Sequence, residues 1–223
     1  MRLLSVNVGT PRPDGDRRAK TGIFKEPTTG PVEIGPLGMS GDAVLDKKHH
    51  GGPDQALYLY AAEDYAWWSE ELGRRLEPGT FGENLTTEGL DVSALAVGDR
   101  LTFGAVETQV TAPRIPCATL ARRMEDEGFV KRFLLAHRPG AYLRVLRPGT
   151  LREGNPASLV RYEGERLGLI ELVEDFRRLK RTEAAIRRIL SAPVAERLRA
   201  TKEAQLAGIL AKKFGKSSGL EEV

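Results

Sequence analysis

Glycine and proline punctuate the first 165 residues so densely that the apolar stretches between them are short and extended in pattern. Arg2 to Val8 reads as an opening strand. Ile23-Phe24 and Val32 to Ile34 follow as short extended pieces, and the aromatic run Ala56 to Tyr60 as a buried strand. Leu101, Phe103, Val106, Thr108 and Val110 alternate about Gly104-Ala105, the pattern of a hairpin. Tyr142 to Leu146 and Leu159 to Tyr162 complete the series, separated by turns at Pro148-Gly149 and Gly154-Asn155-Pro156. Two stretches keep a helical period instead. Ala62 to Leu76 places Tyr65, Trp68, Leu72 and Leu76 on one face, and Leu120 to His137 does the same for Leu120, Met124, Val130, Phe133 and Leu134, with Gly128 able to interrupt it. Eight or more short strands with few helices bury a common face by curling into a barrel or stacking as a sandwich, so a mainly β, α+β chain is expected.

From Glu174 the pattern turns to helix formers: Asp175 to Lys180, Glu183 to Leu190, Val194 to Arg199 and Glu203 to Lys213, with Pro193 as a boundary. The expected organisation is a β domain over 1–172, a small helical domain over 173–214 and a flexible tail over 215–223. The overall charge is only +3, but Phe176 to Lys216 holds twelve Lys or Arg against three Asp or Glu, a net +9. Such a block attracts nucleic acid, an acidic partner, or solvent alone. Phe176 and Phe214 are its only aromatics, so base stacking is poorly served and nucleic acid is not the expected partner. The N-terminus lacks the basic, apolar, small-residue order of a signal peptide, and no apolar run approaches the roughly 20 residues that span a bilayer. Those two features lead to the expectation of a cytoplasmic protein.

One cysteine in 223 residues excludes an intramolecular disulfide and a Cys-only zinc site. It closes Pro113-Arg114-Ile115-Pro116-Cys117, where two prolines stiffen the connector and hold Arg114 and Cys117 out of helix. A nearby cation and a following helix N-terminus both favour a thiolate, which makes Cys117 a candidate nucleophile or soft-metal ligand, although a lone cysteine also serves as a small buried hydrophobe. Two further polar displays stand at turns beside strands: His49-His50-Gly51-Gly52-Pro53-Asp54-Gln55 and Phe81-Gly82-Glu83-Asn84-Leu85. Strand ends cluster at one rim of a barrel, so the three can converge. Glycines there let backbone approach an anion, and histidine and arginine supply charge, as a phosphate-bearing cofactor requires. A Cys/His hydrolase using His50 with Asp54 or Asn84 is a weaker reading, because no protease signature surrounds Cys117.

In that order, Lys47-Lys48-His49-His50-Gly51-Gly52-Pro53-Asp54-Gln55-Ala56-Leu57, Phe81 to Leu85 and Pro113 to Cys117 resemble the MOSC domain, the C-terminal domain of molybdenum cofactor sulfurase, in its stand-alone bacterial YiiM-like form. The likeness covers about residues 1–165, and the helical remainder resembles the three-helix domain that follows it in that subgroup. It implies a MOSC-type β-barrel with a few flanking helices and a molybdopterin-type molybdenum cofactor. It also implies reduction of N-hydroxylated compounds, such as N-hydroxylated bases, with electrons from a separate reductase. By the same resemblance Cys117 ligates molybdenum, Arg114 and His50 join it in catalysis, and His50, Gly51, Gly52, Asp54, Gln55, Gly82, Asn84 and Arg114 bind the cofactor. A sulfur carrier using a Cys117 persulfide, or a helical nucleic-acid module on a β scaffold, are the alternatives.

Overall fold

A computed structural model describes residues 1–15, 18–47 and 50–217; Lys48 and His49 of the second motif and residues 218–223 of the expected tail lie outside the described residues. Strand β1 (Arg2–Gly9) is followed by short pieces β2 (Arg12–Pro13), β3 (Lys20–Thr21), β4 (Lys25–Pro27), β5 (Val32–Gly35) and β6 (Gly38–Met39). Next come β7 (Leu57–Ala61), α1 (Ala62–Leu72) and β8 (Leu85–Glu88), then the hairpin β9 (Arg100–Phe103) and β10 (Val106–Pro113). Helices α2 (Ala118–Met124) and α3 (Phe129–Ala136) lead to β11 (Ala141–Arg147), β12 (Gly149–Leu151) and β13 (Ala157–Val160), and α4 (Leu169–Arg177), α5 (Glu183–Ser191) and α6 (Glu196–Ser217) follow.

Eight strands form one sheet in the order β13-β9-β10-β11-β7-β8-β1-β4. Its pairings are antiparallel except β7 with β8, and that parallel pair needs the crossover that α1 and the turn before β8 provide. The sheet curls until Arg2 bridges Pro156, with Leu3 N donating to Asn155 O at 2.9 Å and Gly154 N to Leu3 O at 2.9 Å. The mainly β, α+β class is as expected, but this single isolated bridge is not a barrel closed by a full ladder. Strand β1 pairs with β8 over Arg2–Val6 and with β4 over Asn7–Gly9, and the residues just before β13 reach only Arg2 and Leu3.

Strand β7 shows why both faces are buried. Leu57 and Leu59 point into an apolar core with Leu3, Leu101, Phe103, Val110 and Leu143. The alternate residues Tyr58 and Tyr60 enter an aromatic core with Tyr65 and Trp68 of α1, Phe81, and Phe129 and Phe133 of α3. Leu169 and Leu172 of α4, Ile189 of α5 and Val194 belong to the first core, which continues from strands into helices.

Helix boundaries differ from expectation for local reasons. Gly73, at φ 62°, takes the left-handed C-cap and its N–H donates to Glu70 O at 3.2 Å, ending α1 at Leu72 rather than Leu76. The expected single helix over 120–137 is two, because Glu125 adopts φ 56° as the cap of α2 and the chain restarts at Phe129. The opposite occurs at the C-terminus. No breaker separates Arg199 from Glu203, so the two helices read there are one, α6.

Candidate functional site

The three polar displays converge because the strands that carry them are neighbours. Residues 50–55 lead into β7, the Gly82-Glu83-Asn84 turn leads into β8 beside it, and Arg114 and Cys117 leave β10, one strand away across β11. His50, Gly51, Gln55, Gly82, Asn84, Arg114 and Cys117 line one cavity of about 440 Å³. Gly52 and Asp54 are not among its lining residues. The Asp54 carboxylate instead accepts from Arg144 Nε at 2.7 Å and from the backbone N–H of Glu196, at the start of α6, at 2.6 Å.

Cys117 is the N-cap residue of α2 and half-buried. Burial pushes its thiol up, but a hydrogen bond from His50, the charge of Arg114 and the Leu120 N–H more than offset this and bring the pKa from 9.0 to about 6. The thiolate therefore prevails at neutral pH. Arg114 is only 5% exposed. Its guanidinium lies 5.1 Å over the Tyr58 ring, Nη1 reaches Tyr142 Oη at 3.4 Å, and Nε has no hydrogen-bond partner among the described residues. Tyr142 Oη also stands 3.5 Å from His50 Nδ1, so one phenol touches two of the three expected catalytic side chains, Arg114 and His50.

Asn84 and Glu83 build the wall rather than project from it. Asn84 Oδ1 accepts from Tyr58 N at 3.1 Å, and Nδ2 donates to Asp42 Oδ2 at 2.9 Å. Glu83 is fully buried, and its Oε1 accepts from Gly79 N at 2.6 Å, Tyr65 Oη at 2.7 Å and Thr86 Oγ1 at 2.8 Å. Burial raises its pKa despite these donors. Gly82 holds φ 75° with Ile23 packed where a Cβ would stand, so the turn excludes a larger residue.

Lys25, Asp42, Tyr58 and Tyr142 are among the further lining residues that the sequence does not single out. Lys25 is buried and paired with Asp42, and burial lowers its pKa against the pull of that partner. In sequence the tyrosines look like core aromatics, and Lys25 and Asp42 sit in turn-rich stretches without a motif. No sequence signal marks any of them.

With this geometry, residues 46–158 match the MOSC domain family. This chain is a MOSC domain protein. The protein YflK of Bacillus subtilis (strain 168) is 37% identical over 155 residues, 68% of this chain and 70% of its own. Protein YiiM of Escherichia coli (strain K12) is 34% identical over 141 residues, 62% of this chain and 63% of its own. A protein named Reductase in Gibberella moniliformis is 32% identical over 142 residues, and the match spans only 25% of that longer protein. The crystal structure of YiiM from Geobacillus stearothermophilus superposes with a TM-score of 0.77 at 30% identity, covering 92% of this chain and 98% of that one. The MOSC fold and the YiiM-like resemblance thus hold in sequence and in structure. No helix among the described residues is long and apolar enough to cross a membrane.

Proposed function

We propose that this MOSC protein is a molybdenum-cofactor-dependent oxidoreductase that reduces N-hydroxylated compounds, N-hydroxylated bases among them, with electrons from a separate reductase. The observation that carries the reading is the pairing, in one cavity, of a thiolate at Cys117 with the buried guanidinium of Arg114. The name of the Gibberella moniliformis relative lends support at the level of reaction class.

The residues fit such a cofactor. A thiolate is a soft ligand suited to molybdenum beside cofactor sulfurs. Among the described residues no three His, Cys, Asp or Glu cluster to hold a metal, so a metal at Cys117 has to bring further ligands with it. Arg114 and Gln55 line the cavity, and Arg114 Nε and Gln55 Oε1 are buried without partners among the described residues, which leaves one donor and one acceptor for the polar rim of a ligand. When bound, the cofactor supplies two-electron redox chemistry for removing the N–OH oxygen. Cys117 holds the metal, and Arg114 faces anionic groups of cofactor or substrate. His50, hydrogen-bonded to Cys117 and beside Tyr142, holds a proton for the departing oxygen. Lys25 adds a second buried cation, kept in place by Asp42.

The same low thiol pKa also favours the second reading, a persulfide on Cys117 in sulfur transfer. Elemental analysis separates the two in protein from a molybdenum-replete, cofactor-competent host. Near-stoichiometric molybdenum that is lost in Cys117→Ala, with turnover of an N-hydroxylated base under an artificial reductant, is expected. Metal-free protein carrying labile sulfur on Cys117 overturns the reductase reading.

A further inference from the structure

The corner that presents His50 and Gln55 to the cavity is weakly held by itself. Gly51 and Gly52 both adopt left-handed backbone, at φ 73° and 83°, a conformation that glycine enters without strain but also leaves easily. The short 3-10 turn Pro53–Gln55 has no side-chain cap, and its internal bond runs from Gln55 N to Gly52 O at 3.1 Å. The restraints come from outside, and they meet at Asp54.

Three distant parts of the chain grip that residue. Thr111 Oγ1 of β10 donates to Asp54 O at 2.6 Å, Arg144 of β11 binds Oδ1, and Glu196 N at the start of α6 donates to Oδ2. Ala195 N, just before α6, donates to Thr111 O at 3.2 Å, and Arg197 Nη2 donates to Lys47 O at 3.1 Å on the other side of His50. A helix start carries N–H groups without intrahelical partners and a partial positive charge, so a short carboxylate is the favoured acceptor there. Here the acceptor comes from 142 residues away and belongs to the cavity corner.

We propose that Asp54 is a positioning residue, through which the N-terminus of α6 holds the His50–Gln55 corner in register with Cys117 and Tyr142. The C-terminal helices then act on the site, without lining its cavity, by restraining residues on either side of His50. This role needs neither the cofactor nor the reaction proposed above, so it stands or falls separately from them.

The test uses the full-length, cofactor-free protein at fixed pH, with two readouts. The first is the imidazole carbon signal of His50 in NMR, simplified by there being three histidines and assigned by its loss in His50→Gln. The second is amide exchange of residues 50–56. In Asp54→Ala the His50 signal is expected to move toward the position of a free imidazole, and the corner amides to exchange about tenfold faster or more, the size set by losing a hydrogen bond to a charged group. Asp54→Asn, which keeps an acceptor for the helix, is expected to restore most of both. If Asp54→Ala does not fold, Glu196→Pro decides: it deletes the donating N–H at the first helical position, where proline is well tolerated, and the same two changes are expected. A folded Asp54→Ala or Glu196→Pro with an unmoved His50 signal overturns the proposal. So does a rise in exchange spread equally over β1 and β8.

Discussion

At Cys117 burial works against ionisation while His50, Arg114 and the Leu120 N–H work for it, and the pKa of about 6 says that the second group wins. In cofactor-free protein the alkylation rate of Cys117 is therefore expected to rise with a midpoint near pH 6. Arg114→Ala and His50→Ala should each move that midpoint upward; a wild-type midpoint near 9 would sink this account of the site. Because the folded pKa is depressed, the thiolate's contribution to stability is complete above the unfolded value near 9 and is lost as pH falls through about 6. Glu83 has the opposite sign. Burial raises its pKa, so its contribution is complete below the ordinary glutamate range and is lost as pH rises through the folded value. The cost of Glu83→Gln in urea unfolding should accordingly shrink between pH 4 and pH 8. A cost that grows over that range would mean that the carboxylate is stabilised by its Gly79, Tyr65 and Thr86 donors after all.

The turn before β8 puts Gly79, Gly82, Glu83 and Asn84 into a few residues that hold β7, β8 and the cavity wall together. Gly79 has φ 89°, and a Cβ there would stand 2.3 Å from the Lys25 backbone oxygen, beside the lysine that enters the cavity. Gly79→Ala should cost about 2–4 kcal/mol in urea unfolding, combining left-handed strain with a clash that backbone must absorb. Gly154→Ala is the control. It has a similar φ of 81° but nothing within 4 Å, so strain alone, about 1 kcal/mol, is expected. Equal costs would show that packing against Lys25 is unimportant.

Over the molecule, the division into a β domain to 172 and helices beyond it describes the chain order, while the apolar core runs through both. Ile189, Ala192 and Val194 share one cluster with Val97, Val110 and Leu143. Lys202 of α6, 2% exposed, pairs with Asp175 of α4 and ties the helices to one another. Full-length protein should melt in one calorimetric transition. A chain truncated after 172 should aggregate or melt more than 10 °C lower, roughly what losing a few buried aliphatic side chains implies. A truncated chain with the parent's melting temperature would instead make the helices an independent appendage.

Sequence patterning alone determined the strand-rich class, the hairpin about Gly104-Ala105, and Cys117 at the end of a stiff connector, because alternation, turn chemistry and proline geometry are local. It also brought forward His50, Gln55, Gly82, Asn84, Arg114 and Cys117, whose residue types in ordered motifs resemble MOSC. Tertiary structure decided what patterning does not encode. Lys25, Asp42, Tyr58 and Tyr142 reach the cavity through strand order, which depends on contacts distant in sequence. The curled sheet meets itself only where Arg2 bridges Pro156, a contact 154 residues apart in sequence, and Asp54 turns from the cavity to the start of α6 because a helix N-terminus 142 residues away needs an acceptor.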